Sequence, residues 1–363
     1  MLPELTYRFL KEWDIFFPNM DKPKTIDYLS IPGSIIGGTT TFLAFGDSNE
    51  MPLFGVKICR NNLTKEKLLN ERDMLNYLKT CAEIADSIPQ VILCEKISGV
   101  WVLVESILEG YPMLATITEE GIPKIEEAEK NISLATNWLV QLHVATCDKT
   151  YETQNFLKHN AQKIIVEFAN IFDLSFIEQD FLRKVANMFN SYDFYQGVVQ
   201  HGDFCCQNLL ISKKYNKVKI GVIDWTDSKR FGFPLHDLFF FLTGYYLQVR
   251  KYSGIKGFIK IFEDTFLNEN PYSKIVKRYI KEYCSRVGID FSQIRFLFAM
   301  FLIERAVYES QKIMWYIRRG ELPRFTLHLA SLDNINYHNA MQIQVWIHFY
   351  KEFVKKWKDL KIY

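Results

Sequence analysis

Gln200-His201-Gly202-Asp203-Phe204-Cys205-Cys206-Gln207-Asn208-Leu209-Leu210-Ile211, followed after a polar turn by Val218-Lys219-Ile220-Gly221-Val222-Ile223-Asp224-Trp225, is the stretch on which both fold and chemistry turn. Two apolar runs flank Lys213-Lys214-Tyr215-Asn216-Lys217, a pattern that predicts a β-hairpin. Counting outward from Tyr215 and Asn216, Asn208 and Asp224 fall at nearly matching depths, seven and eight residues out, so an amide oxygen and a carboxylate are expected at the same end of the hairpin. Those are oxygen donors suited to a hard divalent cation such as Mg²⁺, and Asp203 sits one loop away. A metal held by Asn and Asp beside a further carboxylate is what phosphoryl transfer requires, because the cation neutralises the triphosphate while the carboxylate positions the attacking hydroxyl. The same residue types also cap turns and end strands. Chance would have to reproduce several fixed spacings at once, which favours chemistry over that plainer reading.

Working outward, the chain has room for two domains or one large two-lobed one, at 363 residues. Hydrophobic residues at 48% and only 28 glycines and prolines (17 + 11) exclude a disordered or low-complexity polymer. Lys and Arg number 44 against 42 Asp and Glu, a formal +2 that gives no reason to expect a nucleic-acid partner. The seven cysteines are scattered without a C-x-x-C pair, which fits a reduced, cytoplasmic compartment. No run of about 18 apolar residues is present, so no integral membrane segment is expected; no obligate protein partner is called for either.

Along the chain, a short helix and turn precede Ile31–Phe45, whose β-branched and aromatic run predicts a strand ending at Gly46-Asp47-Ser48-Asn49. Leu53–Cys59 is a second strand, Thr64–Leu78 an amphipathic helix, and Val91–Lys96 and Val100–Ile107 two further strands. Beyond Leu108-Glu109-Gly110-Tyr111-Pro112 the pattern turns helical over Pro123–Thr146, His159–Phe172 and Ile177–Phe189, is interrupted by the 208–224 hairpin, and returns to helix from about Asp237. The expected division is residues 1–107, a small β-rich lobe, and 108–363, a larger helical one.

His-Gly-Asp-x4-Asn followed by apolar-Ile-Asp-Trp resembles the aminoglycoside phosphotransferase and choline kinase family, and Phe231-Gly232-Phe233-Pro234-Leu235-His236-Asp237-Leu238 resembles that family's Gly-x-Pro-x-x-Asp-Leu segment. The resemblance covers residues about 30 to 245. It implies an α+β, protein-kinase-like bilobal fold, with residues 1–107 binding nucleotide and 108–363 carrying catalysis and the acceptor. It further implies Asp203 as catalytic base, Asn208 and Asp224 as Mg²⁺ ligands, and ATP or GTP as donor to a hydroxyl of a small molecule that is aminoglycoside-, choline- or sugar-like.

Lys57 lies inside the apolar strand Phe54-Gly55-Val56-Lys57-Ile58, and Glu71 shares a helical stripe with Leu68 and Leu75. An inward charge is costly unless paired, so a Lys57–Glu71 ion pair is the simplest solution; in kinase-like folds that pair aims the lysine at the nucleotide α- and β-phosphates. Gly33–Thr39 lacks the G-x-G-x-x-G order of a protein-kinase phosphate loop, and Val104–Ile107 is, by analogy, the hinge whose backbone faces a purine. His201 is expected to orient the Asp203 loop, and Asp237 resembles a family residue that braces that loop from behind. Cys205 and Cys206 read as packing residues, His143 as a satisfied core histidine, Glu304 as part of a solvated helix face, and Trp346–Lys358 as a docked amphipathic helix. Two other readings are a nucleotide-binding scaffold without catalysis and a protein kinase. Retention of Asp203, Asn208, Asp224 and Lys57 argues against the first. Only twelve residues between Asp224 and Asp237, with no Ala-Pro-Glu anchor, argue against the second.

Overall fold

The computed structural model describes residues 1–31, 39–47, 51–59, 62–117, 125–191, 196–214, 217–250, 254–318 and 344–357. Most of the glycine-bearing stretch Gly33–Thr39 and the tip of the 208–224 hairpin lie outside the described residues. Contacts divide the chain into two compact units. The first comprises Met1–Pro112, His201–Asp203 and Asn208–Ser228; the second comprises Met113–Gln200, Phe204–Gln207 and Lys229–Tyr363.

The first unit opens with helices Leu2–Lys11 (α1) and Trp13–Phe16 (α2), then strands Ile26–Ile31 (β1), Thr39–Gly46 (β2) and Phe54–Cys59 (β3), helix Asn62–Leu78 (α3), and strands Val91–Ile97 (β4), Val100–Ser106 (β5) and Tyr111–Pro112 (β6). After Val198–Gln200 (β7), which belongs to the second unit, Leu209–Lys214 (β8) and Lys217–Val222 (β9) return to the first. A five-stranded sheet runs β1-β2-β3-β5-β4, with every neighbouring pair antiparallel. β1 falls in a stretch whose sequence reads as helix and turn. Its residues after Ile26 are half-buried or exposed, so it carries little of the apolar alternation that marks a strand.

Because strand side chains alternate, β3 presents two different faces. Phe54, Val56 and Ile58 join Val102 and Val104 in a core with Leu5, Phe9, Trp13 and Phe17 from the N-terminal helices. Phe54 sits between Phe9, edge-on at 5.2 Å, and Phe17, stacked at 5.1 Å. Gly55 and Lys57 occupy the opposite register positions of the strand. In the smaller sheet, β6 pairs with β8 and β8 with β9. The β6 pairing is one reason why residues 208–228 pack with the first unit despite their distance along the chain.

The second unit is mostly helical: Ile125–Thr146 (α4), Tyr151–Ile171 (α5), Phe176–Ser191 (α6), His236–Arg250 (α7), Gly254–Phe262 (α8), Pro271–Val287 (α9), Ile294–Arg318 (α10) and Val345–Lys356 (α11), with β7 pairing to Lys229–Gly232 (β10). α5 starts eight residues before the expected His159, where the Thr150 side chain accepts from the Thr153 N–H and caps it. α11 buries Trp346, Ile347, Phe349, Tyr350, Phe353 and Val354 within this unit, where Phe349 stacks on Phe262 at 4.4 Å. Glu304 is buried, not solvated; it pairs with Lys229, and its other carboxylate oxygen lies 3.4 Å from His236 Nε2. The expected α+β class, an antiparallel sheet with one helix followed by a helical body, is what forms. No described helix is long and apolar enough to cross a membrane.

Two buried histidines make the second unit sensitive to acid. Burial holds His143 down to about 3 and His236 to about 3, so both are neutral in the fold. The unfolded chain takes up their protons near pH 6.5, so this stability is complete above that pH and drains away as the pH falls from 6.5 toward 3. Urea titrations should show about 2 kcal/mol lost per histidine between pH 7 and pH 5, with a shallower slope in His143→Gln. A flat profile over that range would contradict the buried neutral assignment.

Candidate active site

All five residues singled out by the sequence lie in the first unit. Lys57 Nζ donates to Glu71 Oε1 at 2.6 Å, the expected pair, and both are buried. A second carboxylate also reaches it, Glu105 Oε1 at 3.0 Å. Glu105 stands opposite Gly55 across the β3–β5 ladder, and the bare Gly55 leaves room over its side chain. Burial alone would pull the Lys57 ammonium down, but Glu105 and Glu71, with Asp224 adding to them, more than reverse that and hold it charged. Burial pushes Glu71 up, Lys57 pulling it back. Glu71 Oε2 and Glu105 Oε2 are both buried without a hydrogen-bond partner among the described residues.

Glu71 does a second job. The same Oε1 that receives Lys57 accepts the backbone N–H of Trp225 at 3.0 Å. That ties the inner face of α3 to the residue following Asp224. Asp224 itself has φ +65°, a left-handed conformation uncommon outside glycine, and its Oδ1 accepts from Thr226 Oγ at 2.8 Å.

The hairpin brings Asn208 and Asp224 to one end, one step out of register. Leu209 pairs with Val222, so Asn208 faces Ile223, whose N–H donates to the Asn208 carbonyl at 3.0 Å, and Asp224 lies one residue beyond. Asn208 Nδ2 donates to the Asp203 carbonyl at 2.9 Å and to Asp203 Oδ2 at 3.1 Å. Those bonds fix the amide, leaving Oδ1 as the atom it offers elsewhere. Asp203 is half-buried and therefore reachable. His201 donates through Nε2 to the Ile223 carbonyl at 3.1 Å and accepts the Asp203 N–H at Nδ1, 3.3 Å. It lies under Trp225 at 4.6 Å between ring centroids. Gly202, at φ +85°, packs so closely on the Asp227 carbonyl that any Cβ there would collide with it.

Sequence reading missed Glu105. Its strand, Val-Trp-Val-Leu-Val-Glu-Ser, is apolar up to Glu105, and the alternation that sets Val102 and Val104 toward one core sets Glu105 on the Lys57 side. It also missed Lys67 and Asn70, which hold the segment after Asp224. Among the described residues no three His, Cys, Asp or Glu side chains gather to bind an ion, so a metal here would draw on the Asn208 amide. None of the seven cysteines is in a disulfide, and burial pushes the Cys206 thiol up, away from reactivity.

The model of the phosphotransferase enzyme family matches residues 46–251, more than half of the chain and every residue of this site. Among curated proteins none matches. Similar solved structures include aminoglycoside phosphotransferase APH(3'')-Id of Streptomyces rimosus, 16% identical over 82% of this chain and 97% of that one with a TM-score of 0.44. The same protein in complex with ADP and streptomycin is 15% identical over the same shares, with a TM-score of 0.43. An aminoglycoside-3'-phosphotransferase of type VIII is 16% identical over 71% of this chain and 93% of that one, with a TM-score of 0.38.

The charge arrangement sets an expectation for stability. Lys57→Met strands two buried carboxylates and should cost about 3–5 kcal/mol in chemical denaturation, most of it recovered when Glu71→Gln and Glu105→Gln are added. A single variant as stable as the parent would show that the three groups are not coupled.

Proposed function

The chain belongs to the phosphotransferase enzyme family, and on that premise we propose that it transfers the γ-phosphoryl group of ATP to a hydroxyl of a small molecule. GTP is the alternative donor, and the acceptor is aminoglycoside-, choline- or sugar-like. On this reading residues 1–107 contact the nucleotide, and residues 108–363 carry the catalytic groups and the acceptor. Scattered cysteines without a disulfide suit a reduced, cytoplasmic setting.

The observation that carries the proposal is the hydrogen bond from Asn208 Nδ2 to Asp203 Oδ2 at 3.1 Å, on a hairpin end that also bears Asp224. The donor set fits Mg²⁺: Asn208 Oδ1 and the Asp224 carboxylate are hard oxygens, few enough to leave coordination positions for water and phosphate. Bound there, the ion would neutralise charge on the donor's phosphates. Asp203 takes the proton of the acceptor hydroxyl while that oxygen forms its bond to phosphorus and the bond to the nucleoside diphosphate breaks. Asn208 keeps the Asp203 carboxylate from turning away, and His201 fixes its backbone. Glu71 and Glu105 hold the Lys57 ammonium in place, occupying two of its three N–H bonds and leaving the third for a phosphate oxygen.

Screening ATP consumption against hydroxylated metabolites and antibiotics identifies the acceptor. With it in hand, Asp203→Asn should lower turnover by about two to four orders of magnitude and leave ADP binding by calorimetry unchanged; full turnover would remove the base assignment. Asp224→Ala should weaken ATP binding in Mg²⁺ but not in EDTA, and equal binding in both would remove the metal role.

A further inference from the structure

One face of α3 grips the four residues that follow Asp224. Lys67, Asn70 and Glu71 fall at i, i+3 and i+4, a single helical stripe. Glu71 takes the Trp225 N–H. Asn70 Nδ2 reaches the Ser228 carbonyl at 3.0 Å, Ser228 Oγ at 3.2 Å and, more weakly, the Thr226 carbonyl at 3.4 Å. Lys67 Nζ pairs with Asp227 Oδ1 at 2.6 Å. Within the turn, Ser228 Oγ donates back to the Trp225 carbonyl at 2.6 Å.

This grip bears on Asp224 because its backbone is held at φ +65°. A non-glycine residue persists in that region only where its surroundings over-determine it. The surroundings here are the 225–228 turn, and three consecutive contacts from α3 fix that turn. Resting on the metal reading of Asp224, we infer that Asn70, supported by the Lys67–Asp227 pair, is a positioning residue that sets the Asp224 carboxylate for the cation. Asn70 acts as a donor: its amide hydrogens meet carbonyl and hydroxyl oxygens, and no carboxylate could replace it there.

Donor chemistry and mere space-filling give opposite orders for two variants. The readout is calorimetric binding of ADP at stepped Mg²⁺ concentrations and in EDTA, with no acceptor and no turnover. Asn70→Ala should raise the half-saturating Mg²⁺ about five- to tenfold, the worth of a lost hydrogen bond, and leave ADP affinity in EDTA unchanged. Asn70→Asp keeps the shape but faces a carboxylate with carbonyls, so it should shift Mg²⁺ further than Asn70→Ala. If Asn70→Asp behaves as the parent does, or if Asn70→Ala weakens ADP equally with and without Mg²⁺, the inference is wrong. Should Asn70→Asp fail to fold, the charge exchange decides: Lys67→Glu should raise the Mg²⁺ requirement and adding Asp227→Lys should restore it, and no restoration counts against the inference. Asp224→Asn in the same titration separates the two levels. If it leaves the Mg²⁺ requirement unmoved, the metal reading fails and this inference with it; if it raises the requirement while the Asn70 variants do not, only the inference falls.

Discussion

A single carboxylate oxygen, Glu71 Oε1, receives both the Lys57 ammonium and the Trp225 N–H. Strand β3, helix α3 and the turn after the hairpin all meet on that atom, and each would be placed differently without it. Lys57 would have only Glu105, and the turn that carries Asp224 would lose one of its attachments to α3. The sheet's other face explains why β3 can serve as the fixed base: Phe54, Val56 and Ile58 are locked into the N-terminal core by apolar contact, worth about 1.5–3 kcal/mol for each fully buried side chain.

Such an arrangement is not there for stability. A buried ion pair returns little after desolvation, and apolar residues of equal volume often do as well or better. Here the imbalance is larger, with two carboxylates on one ammonium, two carboxylate oxygens lacking partners among the described residues and a left-handed aspartate alongside. Strain and unmet hydrogen-bonding capacity concentrated in one place are what functional sites accumulate while the surrounding fold offsets the cost. In this chain the offset comes from the Phe54 core and the antiparallel ladder of β2, β3 and β5. Membership of the phosphotransferase enzyme family gives that concentration a purpose, since phosphoryl transfer is chiefly positioning and electrostatics.

What could be read from the sequence followed from strong periodic signals. A lysine within an apolar strand and a glutamate within an apolar helical stripe each require a partner, and they find each other. The hairpin was visible because apolar runs flank a polar turn. Where several weak contacts decide the outcome, the sequence was silent. β1 is too exposed to show alternation, and Thr150 starts α5 earlier than the apolar pattern alone suggests. Glu105, Lys67 and Asn70 escaped for a related reason. Each is an ordinary polar residue whose significance lies in a partner far away in sequence, Lys57 for the first and the 225–228 turn for the other two.

The claim that the hairpin end and the Asp203 loop form one phosphoryl-transfer centre is tested most directly by a crystal soaked with Mn²⁺ and ADP and measured at the manganese edge. The account expects an anomalous peak in direct coordination with both Asn208 Oδ1 and the Asp224 carboxylate, with Asp203 beside it and the ADP phosphates completing the shell. ADP bound with manganese elsewhere, or with Asn208 and Asp224 turned away from it, would contradict the account.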